Sequence, residues 1–272
     1  MSRQNPSTDT VRTWDRYPGP PPAVYERYFV PAIGRHFAEQ AIAATSPRAG
    51  ERVLDVACGT GIAAGIAADR VGDPRLVAGV DGHPGMLAVA GAKHPDIDWH
   101  QANTEGLPFA DASFDVVVCS LGLQFFADKI RALAEMGRVA RPGGRIAITT
   151  VGPTPAPFRV LRGVLAEHLG DHVAGFVDAV FAVDDTDHLG DLMRAAGLGH
   201  VTTSRLPLEL VLDPPADFFW QYALGTPLAP HVTGLDDRRR ADLEQEVVER
   251  WNPFATDDGV PVEVDIVLGT AE

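Results

Sequence analysis

The middle of the chain alternates short apolar runs with amphipathic or alanine-rich stretches. Five short runs predict strands, at residues 52–56, 76–80, 97–101, 114–119 and 145–150. Three of the intervening stretches predict helices, at residues 61–71, 86–92 and 128–139. Strands that alternate with helices are typical of a parallel sheet with both faces covered. We therefore predict an α/β fold with a doubly wound, Rossmann-like sheet.

The two ends of the chain follow a different pattern. Aromatic and aliphatic residues recur at spacings of three to five between residues 23 and 45, which predicts an amphipathic helix or a pair of helices broken near Pro31. After residue 150 helical segments predominate, with strand-like stretches at 200–212 and 262–268. These two stretches bring the expected sheet to about seven strands.

Prolines separate the middle of the chain from its ends. Only four of the 22 prolines lie between residues 51 and 141, and all four fall in predicted loops. We therefore expect one structural domain in three parts. Residues 1–50 form an N-terminal arm and helix, with 1–22 irregular; residues 51–150 form a ligand-binding core; and residues 151–272 form a helical lid and the final strands.

Charge and composition narrow the classes of partner. With 23 basic and 37 acidic residues the net charge is −14, which disfavours a nucleic-acid phosphate backbone as a partner. Two cysteines make no disulfide framework, no apolar stretch is long enough to span a membrane, and the N-terminus lacks an apolar leader. We expect a cytoplasmic protein without a membrane span, a monomer or a homodimer, that acts on a small molecule.

A glycine loop carries the strongest chemical signal. Asp55, Gly59 and Gly61 lie in the segment that runs from the end of the first predicted strand to the start of the next helix, where glycines allow a tight turn and close approach to a ligand. A nicotinamide site would favour G-x-G-x-x-G, but Ala64 occupies the third position. Asp81 ends the second strand, where a carboxylate can accept both hydroxyls of a ribose.

Four segments in this order resemble the motifs of class I S-adenosylmethionine-dependent methyltransferases. The segments are residues 53–61, 79–87, 107–117 and 141–145. They are most similar to the small-molecule subgroup that includes the ubiquinone/menaquinone C-methyltransferases. The resemblance covers roughly residues 51–150 and implies a sheet whose last strand is antiparallel, with S-adenosylmethionine as the cofactor.

The resemblance also implies a set of cofactor-binding residues. These are Tyr25, Tyr28, Asp55, Ala57, Gly59, Gly61, Asp81, Gly82, Met86, Asn103, Thr104 and Ser120. The glycines would pass under the methionine part, and Asp81 would bind the ribose. Asp55 could instead hold a turn, Asp81 could cap a helix, Asn103 could be an ordinary loop amide, and the two tyrosines could be core residues.

The sequence identifies fewer residues for the acceptor site than for the cofactor site. Gln124, Phe125 and Trp220 are our candidates for acceptor contacts. Six aromatic residues of the lid could form an apolar wall around the acceptor or pack as the lid's own core: Phe176, Phe181, Phe218, Phe219, Trp220 and Tyr222. No catalytic residue is identified, although four histidines could supply a base if one is needed: His168, His172, His188 and His231. No metal-ligand pattern is present in the sequence, so no metal is expected.

The function expected from the resemblance is methyl transfer from S-adenosylmethionine to a small aromatic or lipophilic acceptor by in-line displacement. Two alternatives remain open at this stage. One is a nicotinamide-dependent oxidoreductase on the same type of sheet, and the other is a non-catalytic S-adenosylmethionine-binding protein. The sequence leaves the methylated atom, oxygen, nitrogen or carbon, undecided.

Overall fold

The strands of the computed structural model, which describes residues 12–272, form one mixed sheet. The strands are β1 Val53–Val56, β2 Val77–Asp81, β3 Asp98–Gln101, β4 Phe114–Ser120, β5 Ala140–Val151, β6 Thr202–Leu212 and β7 Val260–Ala271. Their order across the sheet is β3-β2-β1-β4-β5-β7-β6. Strands β1 to β5 are parallel, and β7 is antiparallel to both of its neighbours. The predicted fold, including the antiparallel last strand, is confirmed.

Helices cover both faces of the sheet and extend beyond one end of it. They are α1 Pro21–Val24, α2 Arg35–Thr45, α3 Ile62–Val71, α4 Pro84–Lys93, α5 Lys129–Val139, α6 Ala156–Leu169, α7 Asp171–Val180, α8 Thr186–Ala195, α9 Pro215–Gly225, α10 Ala229–Thr233 and α11 Asp237–Trp251. Apolar side chains of α2 and α3 pack on one face, and those of α5 and α8 pack on the other. Helices α6, α7 and α9 to α11, which we call the lid, share a separate apolar cluster with side chains of the N-terminal helix and of β5 to β7.

The N-terminal helix runs through Pro31 without a break. A π-helical segment, Tyr25–Gly34, joins α1 to α2. In an α-helix the proline ring would clash with the carbonyl four residues earlier, whereas the wider turn of a π-helix leaves more room there. The expected break near Pro31 is therefore wrong, and the single-helix alternative holds.

The arm before this helix is not irregular throughout, in contrast to the prediction for residues 1–22. A short 3-10 helix, Thr13–Arg16, packs against the lid, with the Trp14 and Trp220 rings 5.2 Å apart. The Arg16 guanidinium lies 3.2 Å from Asp217, to which the Tyr17 hydroxyl also donates. Residues 1–11 lie outside the described part of the chain, so the predictions for them are not addressed. The described arm and the lid form one packed unit.

The chain order places a crevice between β1 and β4. The chain runs outward from β1 to β3 and then crosses back to β4 on the other side of β1. The loops after these two neighbouring strands therefore diverge, and ligands of open α/β sheets bind where this happens, at the carboxyl ends of the strands. Asp55, near the end of β1, and Ser120, at the end of β4, both lie at this edge.

Candidate active site

The loop after β1 is shaped by backbone conformation. Ala57, Gly59 and Gly61 have φ angles of +56°, +53° and +83°, in the left-handed region that favours glycine. The Cys58 N–H donates to Val80 O at 3.0 Å, and the Gly61 N–H donates to Cys58 O at 2.8 Å. A Cβ on Gly59 would meet no atom within 4 Å, so this part of the loop borders open space. The loop is thus held to β2 while leaving room above Gly59.

Gly61 serves packing and does not line the cavity. A Cβ at this position would lie 2.6 Å from Cη2 of Trp99, a closer approach than carbon atoms tolerate. The same indole packs against Gly79, and its Nε1 donates to His94 O at 3.0 Å. Both the left-handed backbone at position 61 and the tryptophan beneath the loop therefore require a glycine there, and its expected role under the cofactor stays a prediction.

Asp55 holds the start of α3 from a buried position. Its side chain is only 1% exposed, and Oδ2 accepts a hydrogen bond from the Ala64 N–H at 2.9 Å. Gly61 is the N-cap of α3 and has no side chain to offer, so Asp55 supplies the oxygen. Burial raises the pKa of Asp55 to about 7, aided by Asp81 and opposed by the Ala64 hydrogen bond. This hydrogen bond favours the alternative in which Asp55 holds a turn, since it fixes the chain where the glycine loop meets α3.

Asp81 is oriented by two backbone groups and keeps free lone pairs. Oδ2 accepts from the Gly59 N–H at 2.9 Å, and Oδ1 accepts from the His83 N–H at 2.7 Å. Each carboxylate oxygen can accept a second hydrogen bond. The N-cap of α4 is His83, whose Nδ1 accepts from the N–H groups of Gly85 and Met86. The alternative that Asp81 caps this helix is therefore wrong.

A cavity of about 740 Å³ opens at this edge of the sheet. Twelve of the candidate residues line it: Tyr25, Asp55, Ala57, Gly59, Asp81, Gly82, Met86, Asn103, Thr104, Ser120, Gln124 and Phe125. Part of the hydrogen-bonding capacity of the Asn103 side chain is already used, because its Oδ1 accepts from the Glu105 N–H at 3.0 Å. The structure therefore brings together residues that are up to 100 positions apart in the chain.

Besides Gly61, two candidate residues lie outside the cavity lining. Tyr28 points its ring edge-on to Tyr17, with centroids 5.1 Å apart. Trp220 is 1% exposed and donates from Nε1 to Glu244 at 2.5 Å, which places it in the lid core. The positions of Tyr28 and Trp220 do not support the ligand contacts expected of them.

The far side of the cavity is lined mainly by apolar and aromatic groups. The N-terminal helix contributes four residues at a constant spacing of four: Tyr25, Phe29, Ile33 and Phe37. The lid contributes Phe158, Phe176 and Tyr222, and Phe181 follows α7. Of the six lid aromatics considered from the sequence, three line this chamber. The other three, Phe218, Phe219 and Trp220, pack in the lid core.

The sequence interpretation missed a side-chain link over the glycine loop. Lys93 at the end of α4 lies 2.5 Å from Glu26 of the π-helical segment and donates to Thr60 O at 3.3 Å. It therefore ties the N-terminal helix to the loop. An isolated lysine on a helix gives no sequence signal for this role. The spacing of four in the N-terminal helix did carry a signal for the chamber wall.

None of the four candidate histidines lines the cavity. His168 lies 2.6 Å from Glu246, His172 packs on His231 with ring centroids 5.8 Å apart, and His188 is exposed. Their positions do not support a role as general base. Within residues 12–272 no three His, Cys, Asp or Glu side chains are grouped to hold a metal ion. Over the same residues, every helix is too short or too polar to cross a bilayer.

Comparison with known proteins agrees with this geometry. Residues 54–148 match the family model described as a methyltransferase domain. A demethylmenaquinone methyltransferase from Renibacterium salmoninarum is 41% identical over 174 residues, which cover 60% of this chain and 72% of that protein. The corresponding protein of Deinococcus radiodurans is 37% identical over 170 residues, covering 57% and 69% of the two chains. A Haemonchus contortus N-methyltransferase, solved with phosphomonomethylethanolamine and S-adenosylhomocysteine, shares the fold, with a TM-score of 0.58, 17% identity and coverage of 92% and 56%.

Fold and site together define a class I S-adenosylmethionine-dependent methyltransferase. The protein is therefore an enzyme that uses S-adenosylmethionine to methylate a small acceptor. More narrowly, the chain belongs to the methyltransferase family that contains the demethylmenaquinone methyltransferases. The predicted family, cofactor and reaction class are confirmed, and the comparisons do not favour the oxidoreductase or the non-catalytic alternative.

The residues at the donor end of the cavity fit S-adenosylmethionine. Asp81 offers free carboxylate lone pairs beside a loop that leaves space above Gly59. The Thr60 hydroxyl is buried and has no hydrogen-bond partner among the described residues, although its residue lines the cavity. A buried polar group without a partner is costly, so a polar ligand at this end would relieve it.

Proposed function

We propose that the acceptor is an uncharged aromatic small molecule with ring oxygens, of the reduced-quinone type. The observation that carries this proposal is the aromatic chamber that adjoins the glycine loop within one cavity. Apolar pockets with a few polar groups suit ligands of this kind. The names of the two curated relatives, both demethylmenaquinone methyltransferases, support the same class of acceptor.

For the donor we propose a division of roles along the edge of the sheet. Asp81 accepts hydrogen bonds from the ribose hydroxyls, and Gly82 and Met86 flank the adenine. Asn103 and Thr104 contact the adenine edge. The support is that all five residues line the cavity, next to the orienting bonds of Asp81.

The methionine part of the donor lies, in this proposal, over the first loop. Ala57 and Gly59 pass beneath it, Ser120 borders it from β4, and Tyr25 closes over it from the N-terminal helix. Asp55 keeps the loop in shape through Ala64. Tyr25 stacks on Phe29 with centroids 4.6 Å apart, so one helix would contact both the donor and the acceptor.

Catalysis in this site rests on positioning and on exclusion of water. S-adenosylmethionine, when bound, would supply an activated methyl group for in-line transfer to the acceptor atom, with S-adenosylhomocysteine as the leaving group and one proton released from the acceptor. The chain's contribution is to hold the acceptor near van der Waals distance and to line the path with Phe29, Phe37 and other apolar groups. Gln124 and Phe125 follow β4 and border the acceptor side of the same cavity.

We further propose that residues 51–150 form the core that holds most of the donor, while the described arm and N-terminal helix, residues 12–50, and the lid and final strands, residues 151–272, close over the cavity. The packing of the arm on the lid supports this division. We propose a cytoplasmic enzyme, monomeric or homodimeric, that does not act on nucleic acid. The net charge of −14 supports the last point.

The test has a binding arm and a turnover arm. Calorimetry compares S-adenosylmethionine, S-adenosylhomocysteine and NAD, and we expect binding of the two sulfur compounds only. Mass spectrometry then follows the gain of one methyl group on prenylated 1,4-dihydroxynaphthalene, with phosphoethanolamine as the charged control. Methylation of the naphthalenediol alone supports the proposal. Preference for NAD, or methylation of phosphoethanolamine alone, contradicts it, as does binding of the donor without transfer to the diol.

A further inference from the structure

The acceptor chamber contains one hydroxyl that the fold does not use. Tyr222 on α9 is 3% exposed and lines the cavity, and its hydroxyl has no hydrogen-bond partner within residues 12–272. Buried phenol hydroxyls normally find a partner, because leaving one unpaired costs free energy. Gln124, on the sheet side of the same cavity, likewise has a buried and unpaired Oε1. Unpaired polar groups of this kind in a ligand cavity point to pairing with the ligand.

Aromatic neighbours hold the Tyr222 ring in place. Phe218 stacks on it at 5.7 Å, Phe158 meets it edge-on at 5.8 Å, and Phe176 lies 6.2 Å away. Phe29 of the N-terminal helix lies 6.4 Å from it, with a tilted ring. The hydroxyl is therefore held in an apolar setting by rings that offer it no hydrogen bond.

The protonation state of Tyr222 makes it a hydrogen-bond donor. Burial raises the pKa of the Tyr222 hydroxyl well above its usual value, and the nearby Tyr25 raises it further. The phenol therefore keeps its proton at neutral pH and does not act as a base. A neutral oxygen on the ligand, either a carbonyl or a hydroxyl, is the matching acceptor.

We infer that Tyr222 is a specificity-determining residue that donates its hydroxyl to an oxygen substituent of the methyl acceptor and so orients the acceptor ring. The inference rests on the proposed function and deepens it. It requires an acceptor that carries an oxygen, and it assigns the recognition of that oxygen to the lid, outside the part of the chain that carries the methyltransferase motifs. Tyr222 is here a positioning residue and takes no part in the bond changes.

The test uses two probes that differ in a single group. 1-Tetralone and tetralin have nearly the same shape, but only 1-tetralone carries a carbonyl oxygen. Their dissociation constants are measured by competition or calorimetry in the presence of S-adenosylhomocysteine. The ratio of the two constants is compared between the wild type, Tyr222→Phe and Tyr17→Phe. Tyr17 is the matched control. Its ring belongs to the same apolar cluster as Tyr222, but its hydroxyl donates to Asp217 outside the cavity.

We expect Tyr222→Phe to lower the preference for 1-tetralone over tetralin by about five-fold, the size of one net hydrogen bond. Tetralin affinity should be unchanged, which shows that the chamber is intact, and Tyr17→Phe should keep the wild-type ratio. An unchanged ratio in Tyr222→Phe overturns the inference, as does an equal loss in both variants. Failure of the wild type to bind either probe would instead count against the apolar acceptor chamber of the proposed function.

The stability of the free protein gives a second readout. Tyr222→Phe removes a hydroxyl without a partner, so its melting temperature should equal or exceed that of the wild type. Tyr17→Phe removes a hydroxyl that is hydrogen-bonded, so its melting temperature should fall. A fall for Tyr222→Phe of the same size as for Tyr17→Phe would mean that its hydroxyl serves the fold, which overturns the inference.

Discussion

The donor end and the lid of this enzyme are held together by different kinds of interaction. At the donor end, backbone N–H groups bind two carboxylates, Asp55 and Asp81, around a loop with left-handed residues. In the lid, rings from α6, α9 and α11 pack on one another through apolar contact. The first arrangement depends on short local segments at strand ends. The second depends on side chains that come from distant parts of the chain, so it leaves no compact motif.

The largest expected difference between the lid and the donor end comes from removing Phe158, the central aromatic residue of the lid. Phe158 meets four rings, those of Phe181, Phe218, Tyr222 and Trp251, at 5.7 to 6.1 Å. We expect Phe158→Ala to lower the free energy of unfolding by about 3–5 kcal/mol through the cavity it leaves. Urea denaturation measures this loss, and calorimetry on the folded fraction should show S-adenosylhomocysteine binding nearly as in the wild type.

Phe125→Ala is the stability control for this experiment. Phe125 is 51% exposed and, within residues 12–272, stacks on the single ring of Phe176, so its removal should shift the urea midpoint far less. Equal midpoints for the two variants would show that Phe158 is not a main source of stability, and loss of donor binding in the folded fraction of Phe158→Ala would show that the lid and the donor end depend on each other.

A charge change at Asp55 should appear as a pH dependence of stability. The pKa of Asp55 is about 7 in the folded protein, against about 4 for an unfolded Asp. Between these values the folded state keeps a proton that the unfolded state has released. Asp55 therefore lowers the free energy of unfolding of the wild type as pH rises from about 4 to 7. Above pH 7 both states are ionised, and the penalty stays constant.

Asp55→Asn removes this penalty and keeps an oxygen for the Ala64 N–H. Relative to the wild type, we expect the variant to gain stability by an order of a few kcal/mol as pH rises from about 4 to 7, with no further gain above. Urea midpoints for both proteins at each pH measure the difference. A difference that stays flat across this range would mean that Asp55 is ionised in the folded state throughout.

The smallest expected effect concerns Asp81 and the donor alone. We expect Asp81→Ala to weaken S-adenosylhomocysteine binding by ~1–3 kcal/mol through the loss of charged hydrogen bonds, with tetralin affinity unchanged. Asp81→Asn keeps one oxygen for the Gly59 N–H and should fall between the wild type and the alanine variant. Unchanged donor affinity in Asp81→Ala, measured by calorimetry, would show that the ribose assignment is wrong.

The sequence predicted the sheet and the donor edge well because both follow from local rules. Apolar runs, strand ends and the glycine loop placed Asp55 and Asp81 correctly at one edge. Gly61 shows the limit of such reasoning, because the side chain that leaves no room for a Cβ there is the indole of Trp99, 38 residues later. A motif gives the residue type that a position needs but not the neighbour that requires it.

The lid could be predicted only as helical and aromatic. The aromatic residues of α9 divide between the chamber wall and the lid core according to the face of the helix on which each one lies. Phe218, Phe219 and Trp220 precede Tyr222 by only a few positions, yet only Tyr222 lines the cavity. The N-terminal helix was more readable, because every fourth residue faces the chamber. In an α-helix, side chains four positions apart move gradually around the helix, because one turn takes fewer than four residues. The wider turns of the π-helical segment offset this rotation.

The distribution of the four tryptophans gives the protein two separate optical reporters. Trp14 of the arm and Trp220 and Trp251 of the lid all pack in one apolar cluster, whereas Trp99 lies apart from them beneath the glycine loop, against Gly61 and Gly79. A variant with phenylalanine at positions 14, 220 and 251 would emit from the donor end only, and Trp99→Phe would emit from the arm and lid only. Stopped-flow fluorescence on the pair could then time the arrival of each ligand separately and establish the order in which they bind.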